Sequence, residues 1–161
     1  MDIITLGNDL LRQKAEQIKP IGEEYKKIAA EMIDALHEGK GVGLAGPQVG
    51  LMKRIFVVHV ERDIPRVFIN PTITMTSQEQ IKYEEGCLSI PGIYADVTRP
   101  ESIQVQAWNE RGRPFTLDAD GILARVILHE YDHLEGTLFI DRLSEPKRKK
   151  IIAKWEKRKK E

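Results

Sequence analysis

HEYDHLEGTLF, residues 129–139, is the stretch on which the reading of this chain turns. Upstream of it, Ile122 to Leu134 keeps the apolar spacing of a helix, with Asp118 or Asp120 as N-cap and Gly136 in the place of a C′ glycine. Positions i and i+4 share a helix face, so His129 and His133 can point at one ion. Glu130 sits too far round to be a ligand, yet it can reach a water on that ion. HExxH marks zinc hydrolases, and the extended form HExxHxxGxxH adds a third histidine. Here Phe139 fills that slot and has no lone pair to offer. Either the histidines are ordinary helix residues, or a third ligand comes from elsewhere.

Working outward, Gly22 to Glu38 reads as an amphipathic helix, with Tyr25, Ile28, Ala29, Met32 and Leu36 on one face. Gly39 and Gly41 end it, and the glycine-rich GKGVGLAGPQVG (39–50) reads as a loop. Five short runs then carry β-branched and aromatic residues: RIFVVHV (54–60), RVFIN (66–70), QIKYE (80–84), SIQVQAW (102–108) and RPFTL (113–117). NERG (109–112) is the best hairpin turn among them. Ser144 and Pro146 predict the start of a last helix running to the end of the chain, about 145–161. Strands between helices, with no βαβ rhythm, predict an α+β fold, and 161 residues suit a single domain, 1–161.

Charge is balanced in total, 25 basic against 25 acidic, but unevenly placed. Residues 147–161 hold nine Lys or Arg and two Glu, a charge of +7. The first 146 residues hold 16 basic and 23 acidic side chains, a charge of −7. Such a tail points to an anionic partner. The opening MDIITLGNDLL has an acid at position 2 and no stretch of signal-peptide character. Apolar runs stay far below the roughly 18 residues that span a bilayer. With one cysteine and no intrachain disulfide to form, a cytoplasmic setting without membrane or DNA partners is expected.

Candidates for the third ligand are Glu156, His37, His59 and Cys87. Glu156 lies within KWEKRKK, where a glutamate relieves like-charge repulsion. His37 ends an amphipathic helix and His59 lies in a strand-like run; both positions suit structural histidines. Cys87 has the best chemistry, since a thiolate ligates zinc or ferrous iron, but a lone cysteine also serves as a small buried hydrophobe. Residue chemistry alone leaves the choice open.

Three segments, GVGLAGPQVG (41–50), EGCLSIPG (85–92) and HEYDHLEGTLF (129–139), closely resemble the three signature motifs of peptide deformylase, in the same order and spacing. The resemblance extends to LGNDLLRQKA near the start and FIDRLS after the histidines, and its lack of long insertions is similar to the shorter bacterial type. It implies antiparallel or mixed short strands packed around a central metal-binding helix, with a helix toward each end. It also implies Cys87, His129 and His133 as ligands of one divalent ion. Ferrous iron is expected from the family, with zinc, nickel or cobalt possible in a preparation.

The implied reaction removes the formyl group from the N-terminal formyl-methionine of new bacterial proteins. Glu130 would accept a water proton and pass it to the leaving amine. The side-chain amide of Gln48 and the backbone N–H of Leu88 would face the charge on the attacked oxygen. Val42, Gly43, Tyr83, Gly86, Ile122 and Val126 are the expected substrate contacts, with Arg125 at the wet rim of the methionine pocket. Glu85 and Arg99 are the expected ion pair behind the cysteine turn. Gly46 and Leu128 depart from the usual alanine and glutamine, and the glycine is expected to loosen the loop that carries Gln48. The basic tail suggests docking on ribosomal RNA. A metallopeptidase of another class and a non-catalytic ribosome-associated protein are the rival readings.

Overall fold

The apolar run Ile55–Val58 (β2) is buried along its whole length, and the fold is built on its two faces. Side chains alternate along a strand. Ile55 and Val57 meet helix α1 (Glu24–Glu38) through Tyr25, Ala29, Met32 and Leu36. Phe56 and Val58 turn the other way, onto Ala124, Val126, Ile127 and Leu134 of α2 (Gly121–Leu134). A strand covered on both sides reads as an unbroken apolar run, which is why it is legible as IFVV. The structure is a computed structural model that describes residues 1–160; the last residue of the expected C-terminal helix lies outside them.

β2 pairs with β1 (Gly43–Ala45) and β3 (Arg66–Thr76), and β3 continues to β6 (Ser102–Trp108) and β7 (Pro114–Asp120). The pairings of this five-stranded sheet are antiparallel. β4 (Gln80–Cys87) and β5 (Ile90–Pro100) form a separate antiparallel pair. Their register runs evenly to Gly86 opposite Tyr94, then shifts so that Cys87 pairs with Ile90. Leu88 and Ser89 are left as the turn, and Cys87 stands at its rim.

Two strands escaped the sequence reading. β1 lies inside the segment read as a glycine-rich loop, because three residues are too few for a period to show. β5, IPGIYADVTRP, is interrupted by Gly92, Asp96 and two prolines; its strand character comes from pairing with β4, not from propensity.

α2 begins after Asp120, although that side chain makes no capping hydrogen bond. It ends before Gly136, whose φ is +74°. A Cβ on Gly136 would lie 2.5 Å from the carbonyl oxygen of Arg12, so only glycine fits both the turn and the crossing chain. α3 (Glu145–Lys159) carries Pro146 in its first turn and is held by the buried Trp155, whose Nε1–H donates to Leu6 O at 3.1 Å. Trp155 shares a third cluster with Ile90, Ile93, Val97, Leu138 and Phe139. Among the described residues no helix is long and apolar enough to cross a membrane.

Candidate metal centre

α2 faces the β4–β5 turn, and their meeting brings Cys87, His129 and His133 together. One ligand atom from each lies within 4.8 Å of the others. His133 Nε2 is 3.3 Å from Cys87 Sγ, and the two imidazole rings stand 5.2 Å apart at 62°. The alternatives are elsewhere. His37 Nε2 and His59 Nδ1 pair with each other at 2.8 Å. Glu156 lines a surface depression beside Leu6, Asn8 and Arg12. Phe139, in the slot where a third histidine would stand, stacks on His129 with ring centroids 5.9 Å apart.

Behind His129 is a buried chain of charge. Its Nδ1–H donates to Glu85 Oε1 at 2.9 Å, which leaves Nε2 for the cluster. Glu85 also accepts from Arg99 at 2.6 and 3.0 Å and from Arg125 at 2.6 Å. Arg99 Nη1 reaches Asp132 Oδ2 at 2.9 Å, and Arg142 reaches the same carboxylate from the surface at 2.8 and 3.1 Å. The expected Glu85–Arg99 pair is therefore present, within a longer network. Arg125 differs from its expected place: it is buried, bonded to Glu85, Val97 O and Ile81 O, and does not mark a wet rim. Its length lets the guanidinium turn inward from the helix and find three acceptors.

Burial sets the proton affinities. Burial pushes the Glu130 carboxyl up, to about 7, against the pull of His129. Burial pushes Glu85 the same way, but hydrogen bonds from His129 and Arg99 outweigh it and hold Glu85 down at about 2. Burial also disfavours a charged His129; the Glu130 charge and the partners Cys87 and Glu85 overcome that and raise it well above the ordinary histidine value. His133 goes the other way, lowered by burial and by the charge on His129. Glu130 Oε1 and His133 Nδ1 find no hydrogen-bond partner among the described residues. Glu130 Oε2 stands 3.9 Å from His129 Nε2, so this buried carboxylate lies at the cluster and is fitted to hold and release a proton.

Gln48 is 1% exposed, in the single 3-10 turn Gly46–Val49 that follows β1. Its Oε1 accepts from Ala45 N–H at 2.9 Å, so its Nε2 must face Ser89 Oγ at 3.0 Å and Cys87 Sγ at 3.5 Å. Gly46 does not loosen this turn. A Cβ there would lie 2.6 Å from Leu51 O and 2.8 Å from Lys53 O, so the returning backbone closes directly on it. Leu128 packs against the cluster between α2 and the sheet, away from the ligands.

Gly43 is pressed against Glu130: a Cβ would meet Glu130 Oε2 at 2.5 Å and Val126 Cγ1 at 2.8 Å. Gly86 lies under the Tyr94 ring in the same way, and the Leu88 side chain lies over Gly41. Tyr83 and Ile122, each about half exposed, share a cavity of about 200 Å³ with Ile81, Pro100, Glu101 and Arg125. Val42 is exposed on the chain leading into β1, and Val126 is buried against Gly43. Ser89, Asp132 and Arg142 were missed by the sequence reading. Asp132 carries a signal in hindsight, a carboxylate inside HEYDH, but its arginines arrive from β5 and from beyond α2.

Comparison with known proteins follows the same lines. The sequence family described as polypeptide deformylase matches residues 1–149. A peptide deformylase of Treponema pallidum subsp. pallidum is 47% identical over 155 residues, covering 96% of this chain and 95% of its own. The solved peptide deformylase of Synechococcus elongatus, in complex with actinonin, superposes with a TM-score of 0.91 at 42% identity, covering 96% of this chain and 86% of that one. That of Ehrlichia chaffeensis, also with actinonin, gives 0.94 at 37% identity over 98% and 96% of the two chains. With motifs, fold and a Cys–His–His cluster in agreement, the chain belongs to the peptide deformylase family.

Proposed function

We propose that Cys87, His129 and His133 hold one ferrous ion, that Glu130 carries the proton, and that Gln48 and Leu88 face the developing charge. The protein is a deformylase: it hydrolyses the formyl group from the N-terminal formyl-methionine of nascent proteins and releases formate. One sulfur and two imidazole donors fit a divalent ion with a coordination place left open. The three donor atoms lie within 4.8 Å of one another, close enough that Cys87, His129 and His133 would hold one ion between them. An ion held there would acidify a water toward neutral pH and would polarise the attacked carbonyl.

The chain's own residues do the rest. Glu130, buried and titrating at about 7, takes a proton from the attacking water and returns it to the departing amine. One carboxylate serves both steps because it can hold the proton in transit. Gln48 Nε2 donates to the oxygen that gains charge, and Leu88 N–H, on the Cys87 turn, does the same. Among the described residues β1 is an edge strand paired only with β2, so an extended peptide can pair with its free side while Gly43 lets it approach Glu130. Tyr83, Ile122 and Val126 receive the methionine side chain, with Gly86 and Val42 at its borders.

α3 supports a further proposal: its Lys and Arg residues dock the enzyme, in the cytoplasm, on ribosomal RNA near emerging chains. The observation that carries the catalytic reading is the buried Glu130 carboxylate at the Cys87–His129–His133 cluster, its Oε2 3.9 Å from His129 Nε2 and its Oε1 without a partner among the described residues. Cys87→Ala tests it. A deformylase loses its bound ion and its formate release together. A peptidase of another class keeps both ion and activity without Cys87, and that result overturns the assignment.

A further inference from the structure

The Gln48 amide is held at both ends. Ala45 N–H fixes Oε1 at 2.9 Å, and a backbone donor can bond only the oxygen, so the amide cannot be flipped. Nε2 carries two hydrogens that diverge by about 120°, as in any planar amide. One goes to Ser89 Oγ at 3.0 Å. The other is thereby aimed at the ligand cluster, where it donates to Cys87 Sγ at 3.5 Å. Ser89 is fully buried and Gln48 nearly so, which keeps water from substituting for the hydroxyl.

We propose that Ser89 is a positioning residue: its buried hydroxyl accepts one Gln48 N–H and so aims the second at the oxygen of the reacting formyl group. This rests on the deformylase reading of Gln48. The tight β4–β5 turn makes the arrangement economical, since Cys87 delivers the ligand atom, Leu88 the backbone donor and Ser89 the acceptor that orients the remaining donor. Ser89 O also accepts from Leu6 N–H at 2.9 Å, which anchors the turn from the N-terminal side. The hydroxyl is thus fixed by the backbone on which it stands and not by its own rotation alone.

Without the hydroxyl, one buried N–H loses its acceptor and the amide can rotate about its last torsion. A donor displaced by a fraction of an ångström loses much of its value to the transition state and little of its value to substrate binding. Ser89→Ala is therefore expected to lower kcat for formate release about ten- to a hundredfold, with KM changed less than about twofold and one ion still bound. In a Gln48→Ala background the same substitution should add less than about twofold, because Ser89 has no amide left to aim. Equal losses in both backgrounds would overturn the proposal and leave Ser89 a packing residue. An unchanged kcat in Ser89→Ala would overturn it as well.

A spectroscopic arm separates this proposal from the activity on which it rests. In zinc-loaded protein the two Gln48 side-chain amide protons should be well separated in shift and should converge in Ser89→Ala. Convergence in a protein that releases no formate would leave Ser89's hold on Gln48 standing and defeat the deformylase reading. Unchanged amide signals in Ser89→Ala would defeat the proposal whatever the activity.

Discussion

Glu85 faces His129 on one side and two arginines on the other, and it is 6% exposed. Its carboxyl stands at about 2 in the folded protein against an ordinary 4.5. The folded value is the lower one, so the stability it contributes is complete above about pH 4.5. It is lost as pH falls from 4.5 toward 2. A shift of this size corresponds to about 3 kcal/mol. Glu85→Gln should therefore be less stable than the wild type at pH 7, and the gap between the two should narrow in acid; urea melts at pH 7, 4 and 3 read it directly. A gap that stays constant would show that the ionised carboxylate is not what His129, Arg99 and Arg125 hold. At this scale the HExxH spacing put His129 and His133 on one helix face, and the family resemblance singled out Cys87 and Gln48; the structure brings these side chains together. The sequence did not expose Ser89 or the inward turn of Arg125, since a serine or an arginine looks the same in sequence whether buried or free.

α2 is the element that makes the site, and its two ends show how far local rules reach. The 3.6-residue period and Gly136 marked it in the sequence, and the structure runs it from Gly121 to Leu134. Gly136 does more than end a helix, because its positive φ coincides with the passage of Arg12 O. Gly136→Ala should destabilise the protein by more than about 1 kcal/mol, from the left-handed backbone and the clash together. Thermal unfolding checks this, and an unchanged Tm would mean that the Arg12 segment retreats freely. The strands were less legible. β2 announced itself as an apolar run buried on both faces, and the hairpin between β6 and β7 through Asn109–Gly112 by its turn residues. β1 is too short for a period to show, and Gly92 and two prolines break the pattern of β5, so each is carried by pairing with its neighbouring strand and not by its own residues.

Across the whole molecule, opposite charges are segregated: a body of −7 and a tail of +7. Trp155 packs α3 onto the cluster that also contains Phe139, the ring stacked on His129. The cationic helix is thus linked to α2 through Phe139, and its charged face is left to solvent. If α3 docks on ribosomal RNA, binding to ribosomes should weaken steeply between about 50 and 200 mM salt. Replacing Lys149, Lys150 and Lys157 with Glu should abolish that binding while formate release from free peptide is retained. Binding that ignores salt would exclude the electrostatic dock. The reading of the molecule as an enzyme depends on none of this. Its most direct test is formate release from a short N-formyl-methionyl peptide, by protein prepared without oxygen and loaded with ferrous iron or nickel, beside Glu130→Ala loaded in the same way. The account predicts release by the wild type, lowered at least about a hundredfold in Glu130→Ala with the ion still bound. No release by metal-loaded wild type, or equal release by both proteins, would contradict it.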